Sequence, residues 1–95
     1  MAIAVIGDIP GGSAQMDQGL MAQLGVSPQT PPQGALARMA GPLNGSYQVL
    51  SVWESQEAWE TFKREKLGPL FQQMGQEMPA MQVWQLDTFF AAPRQ

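Results

Sequence analysis

The chain has 95 residues with no cysteine and no histidine, and its five Lys and Arg against eight Asp and Glu leave a net charge of −3. Disulfides and thiolate chemistry are excluded, and the commonest metal ligand and the commonest general base near neutral pH are both missing. Three of the five basic residues crowd into residues 63–66, so no basic stripe exists to follow a phosphate backbone, and nucleic acid is not an expected partner.

Residues 2–7 (AIAVIG) are short, apolar and partly β-branched, and the loop sequence DIPGG follows them. This pattern predicts a buried first strand. The opening run has no basic n-region, and Asp8 and Pro10 interrupt it before an h-region could form. No segment is long enough to cross a bilayer, so the expectation is a soluble, cytoplasmic protein without a membrane partner. The glycines of GDIPGG lack the spacing of a dinucleotide fingerprint and the lysine of a P-loop, and are set aside as a phosphate site.

Ser13 is placed to cap a helix whose apolar residues Met16, Leu20, Met21 and Leu24 recur at helical spacing, with Gly25 positioned to end it. Residues 26–34 (VSPQTPPQG) carry three prolines and no apolar period, which predicts an irregular connection. Asn44-Gly45 then marks the centre of a type I′ hairpin. With Leu43 facing Ser46, the register places Leu36, Arg38, Ala40, Tyr47, Val49, Ser51 and Trp53 on one face and Ala37, Met39, Leu50 and Val52 on the other. Both faces are largely apolar, as in a sheet covered on both sides.

After Glu54 the period becomes helical, with Ser55 as N-cap and Glu57 in the first turn. Ala58, Trp59 and Phe62 form one apolar stripe and Leu67, Leu70, Phe71 and Met74 another. At about 100° per residue one straight helix cannot bury both, which predicts a kink or break at Gly68-Pro69. Residues 80–90 (AMQVWQLDTFF) read as a closing strand, with Met81, Val83, Gln85, Asp87 and Phe89 alternating against Gln82, Trp84, Leu86, Thr88 and Phe90.

The order β-α-β-β-α-β over a single domain, residues 1–95, predicts a ferredoxin-like α+β fold: a four-stranded antiparallel sheet with two helices on one face. A chain of this size keeps a modest core, and the second apolar face needs a cover. A homodimer packed sheet-to-sheet is the economical expectation.

Within this order, residues 47–62 (YQVLSVWESQEAWETF) resemble the dimeric α+β barrel proteins, in particular the antibiotic-biosynthesis monooxygenase-like group. The resemblance implies cofactor-independent oxygenases of aromatic polyketides, haem-degrading enzymes, polyketide cyclases and lactone isomerases as the range of activities. Trp53 would match the tryptophan near the end of the third strand in the monooxygenase-like members. Many members carry a histidine on the second helix about where Phe62 or a neighbour stands, and its absence counts against haem ligation and a histidine-dependent mechanism.

Trp53, Tyr47, Ser51, Trp59, Phe62 and Trp84 are the candidate lining of a pocket for a hydrophobic or aromatic small molecule. The tryptophans serve equally as filling at the sheet-to-helix corner. Arg38 lies on a covered face and needs a partner: Asp87, Glu54 or a carboxylate of a second copy, water at the rim, or a ligand's enolate, phenolate or carboxylate. Asp87, read as mid-strand, is a candidate general base, an alternative partner for Arg38, or an edge residue in solvent. Carboxylates alone remain as metal ligands and are not clustered, so no metal is expected, and the resemblance to cofactor-independent members implies that no cofactor is needed. The alternatives are an enzyme using Arg38 and Asp87, a non-catalytic ligand-binding or accessory protein, and a structural dimer without a pocket.

Overall fold

The computed structural model describes residues 1–91. Its elements are β1 (Ile3–Pro10), α1 (Ala14–Leu24), β2 (Ala35–Leu43), β3 (Ser46–Trp53), α2 (Gln56–Phe62), a π-helical turn (Lys63–Leu67), α3 (Gly68–Gln73) and β4 (Met81–Gln85). The strands form one antiparallel sheet in the order β2-β3-β1-β4. With α2, the π-turn and α3 acting as one helical arm, this is the expected β-α-β-β-α-β arrangement.

Local chemistry explains where the elements start and stop. The Ser13 side chain accepts from the Met16 amide at 3.2 Å, and Gly25 closes α1 at φ 71°. Ser55 caps α2 in the same way through the Ala58 amide. Asn44 and Gly45 have φ of 53° and 81°, and Leu43 pairs with Ser46 as the turn type requires. β1 runs past Gly7 to Pro10, because residues 46–48 of β3 supply partners for Asp8, Ile9 and Pro10.

The strand register differs from expectation at one point. Arg38 pairs with Ser51 and Ala40 with Val49, but a bulge between Ala35 and Ala37 makes Ala35, not Leu36, the residue opposite Trp53. Leu36 is therefore exposed and Ala35 packs on the core. An extra residue in one strand reverses the facing of everything beyond it.

No break occurs at Gly68-Pro69. The conflict between the two apolar stripes is resolved five residues earlier, by the π-turn at Lys63–Leu67. Its wider turn acts as one inserted residue, setting the phase back by about 100°. Counted that way, Leu67 and Phe71 each fall within about 20° of Trp59 around the axis. Trp59, Leu67 and Phe71 are the buried residues of the arm. The Gly68 amide donates to the Lys63 carbonyl, and Pro69 follows where a proline in an unbroken α-helix would clash with the carbonyl four residues back.

The core joins Ile3, Val5 and Trp53 of the sheet to Trp59, Leu67 and Phe71 of the arm, with Leu20 and Leu24 of α1 at its border. On the far face Ala4 and Val52 are buried, whereas Met39 and Trp84 are exposed at 56% and 43%. β4 stops at Gln85, so Asp87 lies outside the sheet and is exposed. No helix of the described residues is long and apolar enough to cross a membrane.

Two measurements check this account. A Cβ at Gly34, where φ is 85°, would stand 2.6 Å from the Ala58 Cβ, so Gly34→Ala should cost more than about 1 kcal/mol in chemical denaturation. In a Pro69→Ala background, deleting Arg64 removes the extra residue and should leave the melting temperature within about 4 °C of its parent. Inserting one alanine after Arg64 should lower it far more, and the opposite order would refute the phase argument.

Candidate functional site

Between the sheet and the helices lies a cavity of about 90 Å³. Its floor is the helix-facing side of the sheet, including Val5, Gly7, Val49, Ser51 and Trp53. Its roof comes from Leu20 and Met21 of α1 and from Trp59, Phe62, Leu67 and Phe71 of the arm. Gly7 is the position at which the floor is lowest, since an added Cβ there would meet nothing closer than the Met81 side chain at 3.7 Å.

Three aromatic side chains wall one end. The Trp53 ring lies 5.5 Å from that of Trp59 and 5.2 Å from that of Phe62, at interplanar angles of 54° and 37°. Such tilted contacts suit the ring quadrupoles and contribute about 0.5–1.5 kcal/mol each beyond burial. Lys63 Nζ stands 5.9 Å from the centre of the Trp59 ring, over its face. The Trp53 indole N–H donates to Ser51 Oγ at 2.9 Å, so it is already satisfied within β3. Ser51 keeps its own hydroxyl hydrogen to donate.

Arg38 supplies the charge at the cavity edge. Its two terminal nitrogens donate to the two carboxylate oxygens of Asp17, at 3.0 Å and 2.5 Å. The side chains are 31% and 10% exposed respectively, and the pair joins β2 to α1. A fork of this kind uses both ends of a guanidinium against both oxygens of a carboxylate and leaves the Nε hydrogen and the outer terminal hydrogens free.

The structure thus brings Trp53, Ser51, Trp59, Phe62 and Arg38 to one cavity. Tyr47 is buried on the same side of the sheet but lines a neighbouring groove between α1 and residues 74–79. Trp84 pairs with Ala4 and belongs to the far face. Asp87 is absent from the cavity lining, and Arg38 finds Asp17 in place of Asp87 or Glu54. Asp17 was not a sequence candidate. An acidic residue in the first turn of a helix reads as a dipole partner, and nothing local to residue 17 announces an arginine 21 positions away. Among the described residues no three acidic side chains gather to hold a metal ion.

Neither a known family model nor a curated relative matches the sequence. Solved structures do match the fold. The heme-degrading protein Rv3592 of Mycobacterium tuberculosis aligns over 96% of this chain and 100% of its own, with a TM-score of 0.64 at 13% identity. SnoaB, a cofactor-independent oxygenase of Streptomyces nogalater, aligns over 96% and 97%, with a TM-score of 0.61 at 10% identity. Rv0793 of Mycobacterium tuberculosis aligns over 98% and 100%, with a TM-score of 0.64 at 15% identity. The chain therefore shares with these solved structures a ferredoxin-like α+β fold, a four-stranded antiparallel sheet carrying its helices on one face.

Proposed function

We propose that this protein binds a small, flat, largely apolar organic molecule in the cavity between its sheet and its helices. The observation that carries the reading is the joint presence, around one cavity, of an aromatic wall (Trp53, Trp59, Phe62) and a short polar edge (Ser51, Arg38). An apolar enclosure with a few convergent polar groups is the usual form of a small-molecule site. The Ser51 hydroxyl and the Arg38 guanidinium are both donors, so they suit a ligand bearing an oxygen acceptor.

Haem does not fit the donor set. The chain has no histidine and no cysteine, and the cavity lining offers an iron only the weak thioethers of Met21 and Met81. A second reading is cofactor-independent turnover of the same ligand, by oxygenation, cyclisation or isomerisation. Arg38 favours it, as a fixed cation at the cavity edge for an enolate or phenolate oxygen. The likeness in fold to SnoaB supports the same direction. Asp87, exposed and away from the cavity, has no part in it.

The protein works in this proposal as a cytoplasmic homodimer. The exposed Met39 and Trp84 on the far face, beside the half-buried Ile6 and Leu50, are the apolar surface that a second copy would cover. Sedimentation should therefore give a dimer that the double change Met39→Glu and Trp84→Glu converts to a monomer. A wild-type monomer at micromolar concentration would remove this part of the reading.

The cavity itself is tested by filling it. Gly7→Val has room at its Cβ and places two methyl groups in the cavity. It should leave the melting temperature within about 5 °C of wild type and weaken binding of an aromatic probe, 2-naphthoate or 2-naphthamide, by at least about tenfold in calorimetry. Equal affinity in Gly7→Val and wild type would place the ligand elsewhere.

A further inference from the structure

A cavity of about 90 Å³ is smaller than the roughly 150 Å³ that holds benzene inside a protein interior, so even a one-ring ligand is fully enclosed only if a wall gives way. The wall held least firmly is α1. None of its residues is fully buried, and Leu20 and Leu24 only border the core. Among the described residues, its side-chain hydrogen bonds to the sheet are those of Asp17 to Arg38.

Open space flanks the cavity on both sides. A groove of about 430 Å³ between α1 and residues 74–79 shares Ile9, Leu20, Phe71 and Pro79 with it. Another of about 700 Å³, between the proline-rich loop and α2, shares Val26, Pro32 and Phe62. The helix and the loop behind it thus separate the cavity from two grooves that would otherwise run into it.

The chemistry of the pair indicates what would open it. The end of a guanidinium selects a carboxylate by geometry, and Asp17 already occupies that place. Released to water, Asp17 would still sit in the first turn of α1, where the partial positive charge of the helix N-terminus favours it. Ser51, opposite Arg38 across β2 and β3, offers its hydroxyl hydrogen to the same incoming group.

We propose that Asp17 is an internal stand-in for the carboxylate of the ligand. A flat-bodied organic acid enters beneath α1, takes Arg38 from Asp17, and seats its ring against Trp53 and Trp59, while α1, no longer fastened to β2, moves outward as a lid. This inference rests on the reading of the cavity as a ligand site and adds to it the class of ligand, an apolar carboxylic acid, and the wall that moves.

The test compares 2-naphthoate with its neutral counterpart 2-naphthamide, by calorimetry, on wild-type protein, Asp17→Asn and Arg38→Gln, with Asp17→Ala as a second removal of the carboxylate. Taking away the internal competitor should tighten naphthoate binding about tenfold more than it tightens naphthamide binding, because the amide gains only from the loosened helix. Arg38→Gln should bind the acid no better than the amide. Amides of α1 should exchange with deuterium faster in Asp17→Asn than in wild type. If Asp17→Asn gains nothing for naphthoate while naphthamide still binds, or gains equally for both, the stand-in role is overturned and the cavity reading survives. If neither compound binds any of these proteins, both fall together.

Discussion

The contact between Trp53 at the end of β3 and Trp59 in α2 is the junction on which the rest of this structure depends. It turns the chain from sheet to helix and brings Phe62 against the same indole. It can form with the rest of the arm also in place only because the π-turn slips the helical phase by one residue, which keeps Leu67 and Phe71 above the strands. Without the slip, burial of Trp59 and burial of Phe71 would compete. The cavity is a consequence of this arrangement, since the arm is held off the sheet by large rings while Gly7 adds nothing from below.

The same junction determines the polarity of the cavity. Because the Trp53 N–H donates to Ser51, the indole brings no unsatisfied donor into an apolar space, where such a group would cost about 1–3 kcal/mol. The charge is kept at the edge, on Arg38, and is neutralised across the gap by Asp17 of α1. One ion pair therefore does two things at once. It removes the desolvation problem of an arginine beside an apolar cavity, and it fastens an otherwise lightly held helix.

Much of the fold was legible because its signals are local. Asn44-Gly45 specified the hairpin and its register, Ser13 and Gly25 specified α1, and Ser55 specified the start of α2. Each acts through a hydrogen bond or a dihedral angle within four residues. The bulge at Leu36 was not legible, because Ala35, Leu36 and Ala37 are all apolar and either phase buries an acceptable side chain. The arm was half-legible: the mismatch of its two stripes was plain, but Pro69 drew attention away from the true adjustment in KREKL, whose charged residues carry no facing preference. The end of β4 was missed because alternation continues through Phe90 although the strand pairs with β1 only as far as Gln85.

At the site, the residues of β3 and α2 were legible as a group, since one strand and the helix after it hold Ser51, Trp53, Trp59 and Phe62. What could not be read were the contacts between elements far apart in sequence, Asp17 with Arg38 above all, and the assignment of Trp84 to the opposite face. The central claim is that ligand sits beside Trp53 and Trp59 beneath the helices. It is tested most directly by following the three indole N–H resonances by NMR while 2-naphthoate is added. The account predicts that the Trp53 and Trp59 signals move together and that of Trp84 does not. Movement of Trp84 alone would contradict it.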